Sequence, residues 1–188
     1  ERDEFDDRDT EHRDTHRCLA QATVVGFARW LEANGSSRDT VRGAMQMAPW
    51  LSALRERVAL GYGYGTPLTS PSIFRSMGYH LGSEVLADQE FTIIDEFLRR
   101  ECPEIVADLQ ARTVNIEGVE HKSYAWIHIH SGGGPAVEAD PFEWAVRGVD
   151  LAFRFTPPSQ ALECKHQVIL GFQDFARDHE EFFANVLR

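Results

Sequence analysis

Residues 70–100 read SPSIFRSMGYHLGSEVLADQEFTIIDEFLRR, and this stretch decides the fold class. Phe74, Met77, Leu81, Glu84, Asp88 and Phe91 follow one another at three- and four-residue steps, so the spacing predicts one face of a long helix. Ser70-Pro71 marks its start, with a capping side chain followed by proline in the first turn. The helix is expected to run to about Glu101. Glu84 and Asp88 lie on an otherwise apolar stripe. Burying a carboxylate is costly unless it is paired, protonated or bound to a metal. Glu84 is therefore the leading candidate for chemistry. His80, one turn earlier, and Asp88, one turn later, are its nearest polar neighbours on the helix.

Outward from that helix the pattern stays helical. Leu19, Ala22, Val25, Phe27, Trp30 and Leu31 predict a helix from Arg17 to Ala33, and Asn34-Gly35 closes it. Ser36 and Asp39 stand at capping-box spacing before a second helix carrying Val41, Ala44 and Met45. Pro49 breaks that run, and Trp50, Leu51, Leu54 and Val58 begin another. GYGYG, Gly61 to Gly65, reads as a loop. It lacks the glycine spacing and the Lys-Ser/Thr of a phosphate-binding loop.

A shorter helix follows Pro103, from Glu104 to Arg112, and Val114 to Lys122 reads as a loop. Tyr124 to His130 (YAWIHIH) alternates as a strand does, but would be a lone strand in a helical chain. Ala136 to Phe155 and Gln160 to Leu187 read as the last two helices. The final one is expected to present Leu162, His166, Ile169, Gln173, Ala176 and Phe183 on one stripe.

Composition narrows the class of protein. The chain has 188 residues, which fits one domain. Residues 1–16 form an acidic arm or helix start, and 17–188 a single helical domain. A net charge of −11, with no cluster of Lys and Arg, excludes general binding of nucleic acid or anionic membrane. The three cysteines are odd in number and contain no CxxC, so a reducing, cytoplasmic setting is expected. No apolar run is long enough to span a bilayer.

Further candidates lie downstream of Glu84. His128 and His130 sit two apart in YAWIHIH. Glu138 opens an apolar helix start, where the helix dipole also favours its charge. His166 lies on the expected stripe of the last helix. Asp174 is offset from that stripe, and His179 stands among Phe172, Phe175, Phe182 and Phe183.

Long helices with acids in their seams, and a closing helix with His and Asp, resemble the heme-oxygenase-like fold. The closest likeness is to its di-iron oxidase and oxygenase branch, found in natural-product biosynthesis. The resemblance covers Arg17 to Leu187. It implies an all-α bundle of about six or seven helices around a central pocket. Glu84 would be the first carboxylate ligand, Glu138 the second, and His166 the first residue of the last motif. The family's other positions fall on Phe91, Leu170 and Gln173, and a shifted set would use Glu90, Asp174 and His179.

The metal ligands implied are thus Glu84, Glu138, His166, Asp174 and His179, with Glu84, Glu138 and His166 as catalytic residues. Iron, in a di-iron site or alone, or manganese would be the cofactor, since mixed oxygen and nitrogen donors suit these ions. The expected partners are a small-molecule substrate and dioxygen, with a homodimer admitted. Pocket walls are expected from Phe74, Met77, Phe91, Trp126 and Phe172. Relatives without a metal imply an alternative, a cyclase, isomerase or hydrolase using Glu and His as acid and base. A helical module that binds a protein through the acidic arm is the third reading.

Overall fold

The computed structural model describes residues 16–133 and 141–186. Among them are seven helices of seven residues or more and one two-stranded hairpin, so the chain is all-α as expected. The helices are α1 (His16–Ala33), α2 (Arg38–Ala44), α3 (Pro49–Gly61), α4 (Ser70–Glu101), α5 (Pro103–Ala111), α7 (Pro141–Arg154) and α8 (Ala161–Val186). The short α6 (Ala125–His128) runs directly into a π-helical segment, Ile129–Gly133. Strands β1 (Thr113–Ile116) and β2 (Val119–Lys122) form the hairpin. Contacts divide the chain into two compact units. Unit 1 holds residues up to Gln46 and 88–138, and unit 2 holds 47–87 and 139–188, so α4 contributes to both.

In unit 1 the core is Val106, Leu109, Tyr124 and Ile127. Phe27, Phe91, Ile94, Leu98, Ile105 and Trp126 pack around it. Helix α1 comes close at Gly26, where a Cβ would lie 2.6 Å from Cβ of buried Ser123 and 2.8 Å from Leu109. The segment 114–122 corrects the expected loop: Val114 pairs with His121 and Ile116 with Val119. Glu117 and Gly118 turn the chain with φ of 52° and 91°. That two-residue left-handed turn suits the twist of a hairpin. The turn signal was Glu-Gly rather than Asn-Gly, and each strand is only four residues long.

YAWIHIH is likewise not a strand. Residues four apart share a side in both strand and helix periods, which is why Trp126 and His130 read ambiguously. The helix is what buries Tyr124 and Ile127 together. Two caps also sit one residue from their expected places. Ser37, not Ser36, accepts the amide of Thr40, and Thr69, not Ser70, accepts that of Ser72.

In unit 2, α8 packs on α3 and on the first half of α4. Its buried line is Cys164, Gly171 and Asp178, with half-buried Val168 and Phe175 between them and Phe182 one turn further on. This is a strict three–four repeat. It corrects the expected stripe, because Leu162, His166, Ile169 and Gln173 are exposed. The buried line includes a glycine and an acid, Gly171 and Asp178, which apolar periodicity does not pick out.

On α4 the buried face overlaps the expected stripe only at Phe74. Phe74, Gly78, Tyr79, Gly82 and Ser83 are its buried residues, whereas Met77, Leu81 and Glu84 lie at the margin. A Cβ on Gly82 would lie 3.0 Å from that of Phe175. Phe74 meets Phe153 of α7 at 4.6 Å between ring centres.

Candidate functional site

The structure carries side-chain chemistry in three places among the described residues. The first is in unit 1, at the π-helical segment. Such segments are rare and often mark functional positions. His130 Nδ1 lies 2.7 Å from the carbonyl oxygen of Trp126, one turn back. A carbonyl only accepts, so Nδ1 carries a hydrogen, which in the neutral ring leaves the lone pair on Nε2. The imidazole stacks on Trp126 at 4.1 Å between ring centres and on Phe91 at 4.9 Å. Phe91 in turn meets Trp126 edge-on at 5.7 Å. All three rings are half-buried. The result is an imidazole of fixed tautomer and fixed orientation beside two aromatic walls.

Next to it, Asp95 Oδ1 accepts the Tyr124 hydroxyl at 2.7 Å, and Oδ2 accepts Arg99 Nε at 2.7 Å. The Arg99 guanidinium also lies over the Tyr124 ring, 5.7 Å from its centre. Burial alone would raise the Asp95 carboxyl, but the Arg99 and Tyr124 hydrogen bonds outweigh it and hold the group below its ordinary range. His128, exposed at the end of α6, adds to that field.

The second place is in unit 2, on α3, α4 and α8. Asp178 is nine-tenths buried and takes two hydrogen bonds of 2.9 Å. One comes from Arg57 Nε and the other from the hydroxyl of fully buried Tyr79. Arg57 Nη2 also reaches Glu181. Tyr79 is held between Tyr62 at 5.3 Å and Phe175 at 5.2 Å, both edge-on. The sequence reading missed Asp178. The available signal was its place on the three–four repeat from Cys164 to Phe182, masked by the more conspicuous His179 beside it.

Burial first, then the hydrogen bond to a carboxylate, pushes the phenols of Tyr79 and Tyr124 above the ordinary tyrosine range. A raised acid favours the folded state while it stays protonated. Its contribution is therefore complete below the unfolded phenol's pKa of about 10 and is lost as pH climbs above it. Alkaline unfolding should therefore coincide with ionisation of these two phenols, followed by the ultraviolet difference spectrum of tyrosinate. Tyr79→Phe with Tyr124→Phe should move the alkaline midpoint upward. Ionisation of both phenols well before unfolding would contradict the burial argument.

The third place is the His80–Glu84 pair on α4, with Nδ1 and Oε1 3.6 Å apart and Tyr62 tilted against the His80 ring at 5.9 Å. The Glu84 side chain is a quarter exposed. It is thus a marginal acid beside a histidine rather than an acid sealed in the core.

The remaining expected site residues are dispersed. Asp174 accepts Arg75 Nε at 2.9 Å and Nη2 at 2.6 Å, and Arg177 Nη2 at 2.8 Å. His179 lies between Phe175, 5.7 Å away, and Phe183, 4.8 Å away, along its own helix. His166 is exposed on the outer face of α8. Glu138 lies outside the described residues, and so does the side chain of Asp88. Of the expected pocket walls, Phe91 and Trp126 meet in unit 1. Phe74, Met77 and Phe172 belong to unit 2.

Among the described residues no three His, Cys, Asp or Glu side chains gather into a metal-binding group. Asp174 in particular is committed to two guanidinium groups. The described donors of the expected iron or manganese set, Glu84, His166, Asp174 and His179, thus do not fit one ion. Also among the described residues, no helix is long and apolar enough to cross a membrane. Compared with protein-family models, curated proteins and solved structures, the chain matches none.

Proposed function

We propose that this chain is an enzyme of heme-oxygenase-like architecture that acts on a small molecule by acid–base chemistry, with His130 as the proton-transferring group. One observation carries the reading: the 2.7 Å contact from His130 Nδ1 to the Trp126 carbonyl, made where α6 runs into the π-helical segment. It turns Nε2 into a positioned base. Trp126 and Phe91 supply flat apolar surfaces, which suit an unsaturated or aromatic substrate. Water exclusion by these rings would strengthen a proton transfer at Nε2.

The non-haem iron or manganese oxidase is the second reading, favoured by the same contact. A metal-bound imidazole also donates its other N–H to a backbone carbonyl or carboxylate. A bound metal would supply dioxygen activation. No described ligand set completes that site.

The test is conversion of a metabolite extract by the purified chain, followed by mass spectrometry, with and without chelator. His130→Asn keeps a donor near the position of Nδ1 and removes the base nitrogen. Turnover should fall by about 10²- to 10⁴-fold in that variant. It should be indifferent to chelator in the unaltered chain. Full activity in His130→Asn would overturn the reading, and loss on chelation with recovery on iron would support the oxidase instead.

A further inference from the structure

Helix α7 leaves an apolar line in water. Trp144 is 56% exposed and Leu151 53%, seven residues apart and so on one side of the helix, and Phe155, 81% exposed, follows in the turn after Arg154. Gly148 is half-buried at the margin of this face, where a Cβ would lie 3.9 Å from Cε of Met77. A contiguous exposed apolar patch rimmed by polar residues marks an interaction site. The residues beside the stripe show what docks on it.

Glu143, Arg147, Asp150 and Arg154 all lie along the same edge of the stripe, at ~100° per residue. All four are exposed. Their order is acid, base, acid, base. Two copies of α7 laid antiparallel about a twofold axis bring like edges together, because an antiparallel pair sets each flank against the same flank of its partner. Centred between Gly148 and Val149, that arrangement sets Glu143 against Arg154 of the second copy and Arg147 against Asp150. The symmetry then repeats both pairs. A parallel pairing would set this charged edge against the opposite edge, where Ala145, Val149 and Ala152 lie.

We propose that the exposed face of α7 is a self-association surface, and that it takes a second copy of this chain in antiparallel register. Trp144 would then cover the partner's C-terminal turn near Phe155, with Leu151 close to the axis. The Glu143–Arg147 pair within one helix, at 2.5 Å, and the Arg147 guanidinium over Trp144, 5.4 Å from the ring centre, hold the edge charges in place before docking. The proposal does not depend on the acid–base reading of His130.

One helix pair is smaller than a standard interface, so the dissociation constant should lie at roughly 10–100 μM. Sedimentation velocity over a concentration series through that range, on the full chain, tests it. Leu151→Asp should abolish the dimer while leaving the far-ultraviolet circular dichroism unchanged.

Charge reversal tests the register. Glu143→Arg or Arg154→Glu alone puts like charges together twice in each dimer and should weaken association by about tenfold. The double variant restores opposite charges across the axis and should return to within about threefold of the unaltered chain. A chain that stays monomeric throughout would overturn the proposal. So would a dimer indifferent to all three variants, or single variants that weaken it with no recovery in the double.

Discussion

Gly171→Ala is expected to destabilise the chain by about 2 kcal/mol or more, with a matching fall in the denaturant midpoint. A Cβ at Gly171 would overlap the carbonyl oxygen of Arg75 and lie 2.8 Å from the amide nitrogen of Tyr79. Both obstacles are backbone atoms of α4, which cannot rotate aside as a side chain does. A gain of roughly 0.5–1 kcal/mol in helix propensity offsets part of the loss. The reverse contact is equally tight: a Cβ at Gly78 would overlap the carbonyl of Val168 on α8. Gly78→Ala should therefore behave alike.

Gly43→Ala is the control. Nothing lies within 4 Å of a Cβ there, so only the propensity gain should remain. Equal stability of Gly171→Ala and Gly43→Ala would show that α4 and α8 are not packed backbone to backbone.

Asp178→Ala should cost about 3 kcal/mol. Removing one partner of a buried ion pair leaves the other unsatisfied, which costs about 3–5 kcal/mol. The lower end applies because the Arg57 side chain is 41% exposed and keeps Glu181 as a partner. The sharper loss falls on Tyr79, only 1% exposed, whose hydroxyl would have no acceptor. Asp178→Asn retains an acceptor for that hydroxyl and should cost less.

Tyr79→Phe removes the donor and should cost about 1 kcal/mol. In a double-mutant cycle, Tyr79→Phe with Asp178→Ala should be less damaging than the sum of the two single changes, because the stranded hydroxyl is gone. Strict additivity would mean the Tyr79–Asp178 bond contributes nothing.

The functional reading differs from what the residues first suggested, and the reason is physical. Glu84 stood out because it interrupts an apolar stripe, yet that stripe is the margin of α4, and Glu84 rests beside His80. His166 stood out on a line of Leu and Ile that turns out to face water. Asp174 was a candidate ligand, but two arginines occupy its oxygens. His130, one of a pair of histidines in an ambiguous segment, gained its interest only from its partner. The 2.7 Å bond to Trp126 joins the π-helical segment to α6, and no residue type encodes that junction by itself.

The sequence alone determined the helices. Periodic apolar residues, Asn34-Gly35, Pro49, Ser70-Pro71 and Pro103 mark starts and stops through local backbone chemistry, which neighbours in sequence set unaided. It also determined the net charge of −11. Only the tertiary structure decided which face of α4 and α8 turns inward. The closest packing there runs through Gly78, Gly82 and Gly171, and a glycine gains its place from how near another backbone comes, a quantity no single helix contains. Tertiary contacts likewise decided the partners of Asp178, Asp174 and His130, because a hydrogen bond across the fold depends on where two distant segments meet.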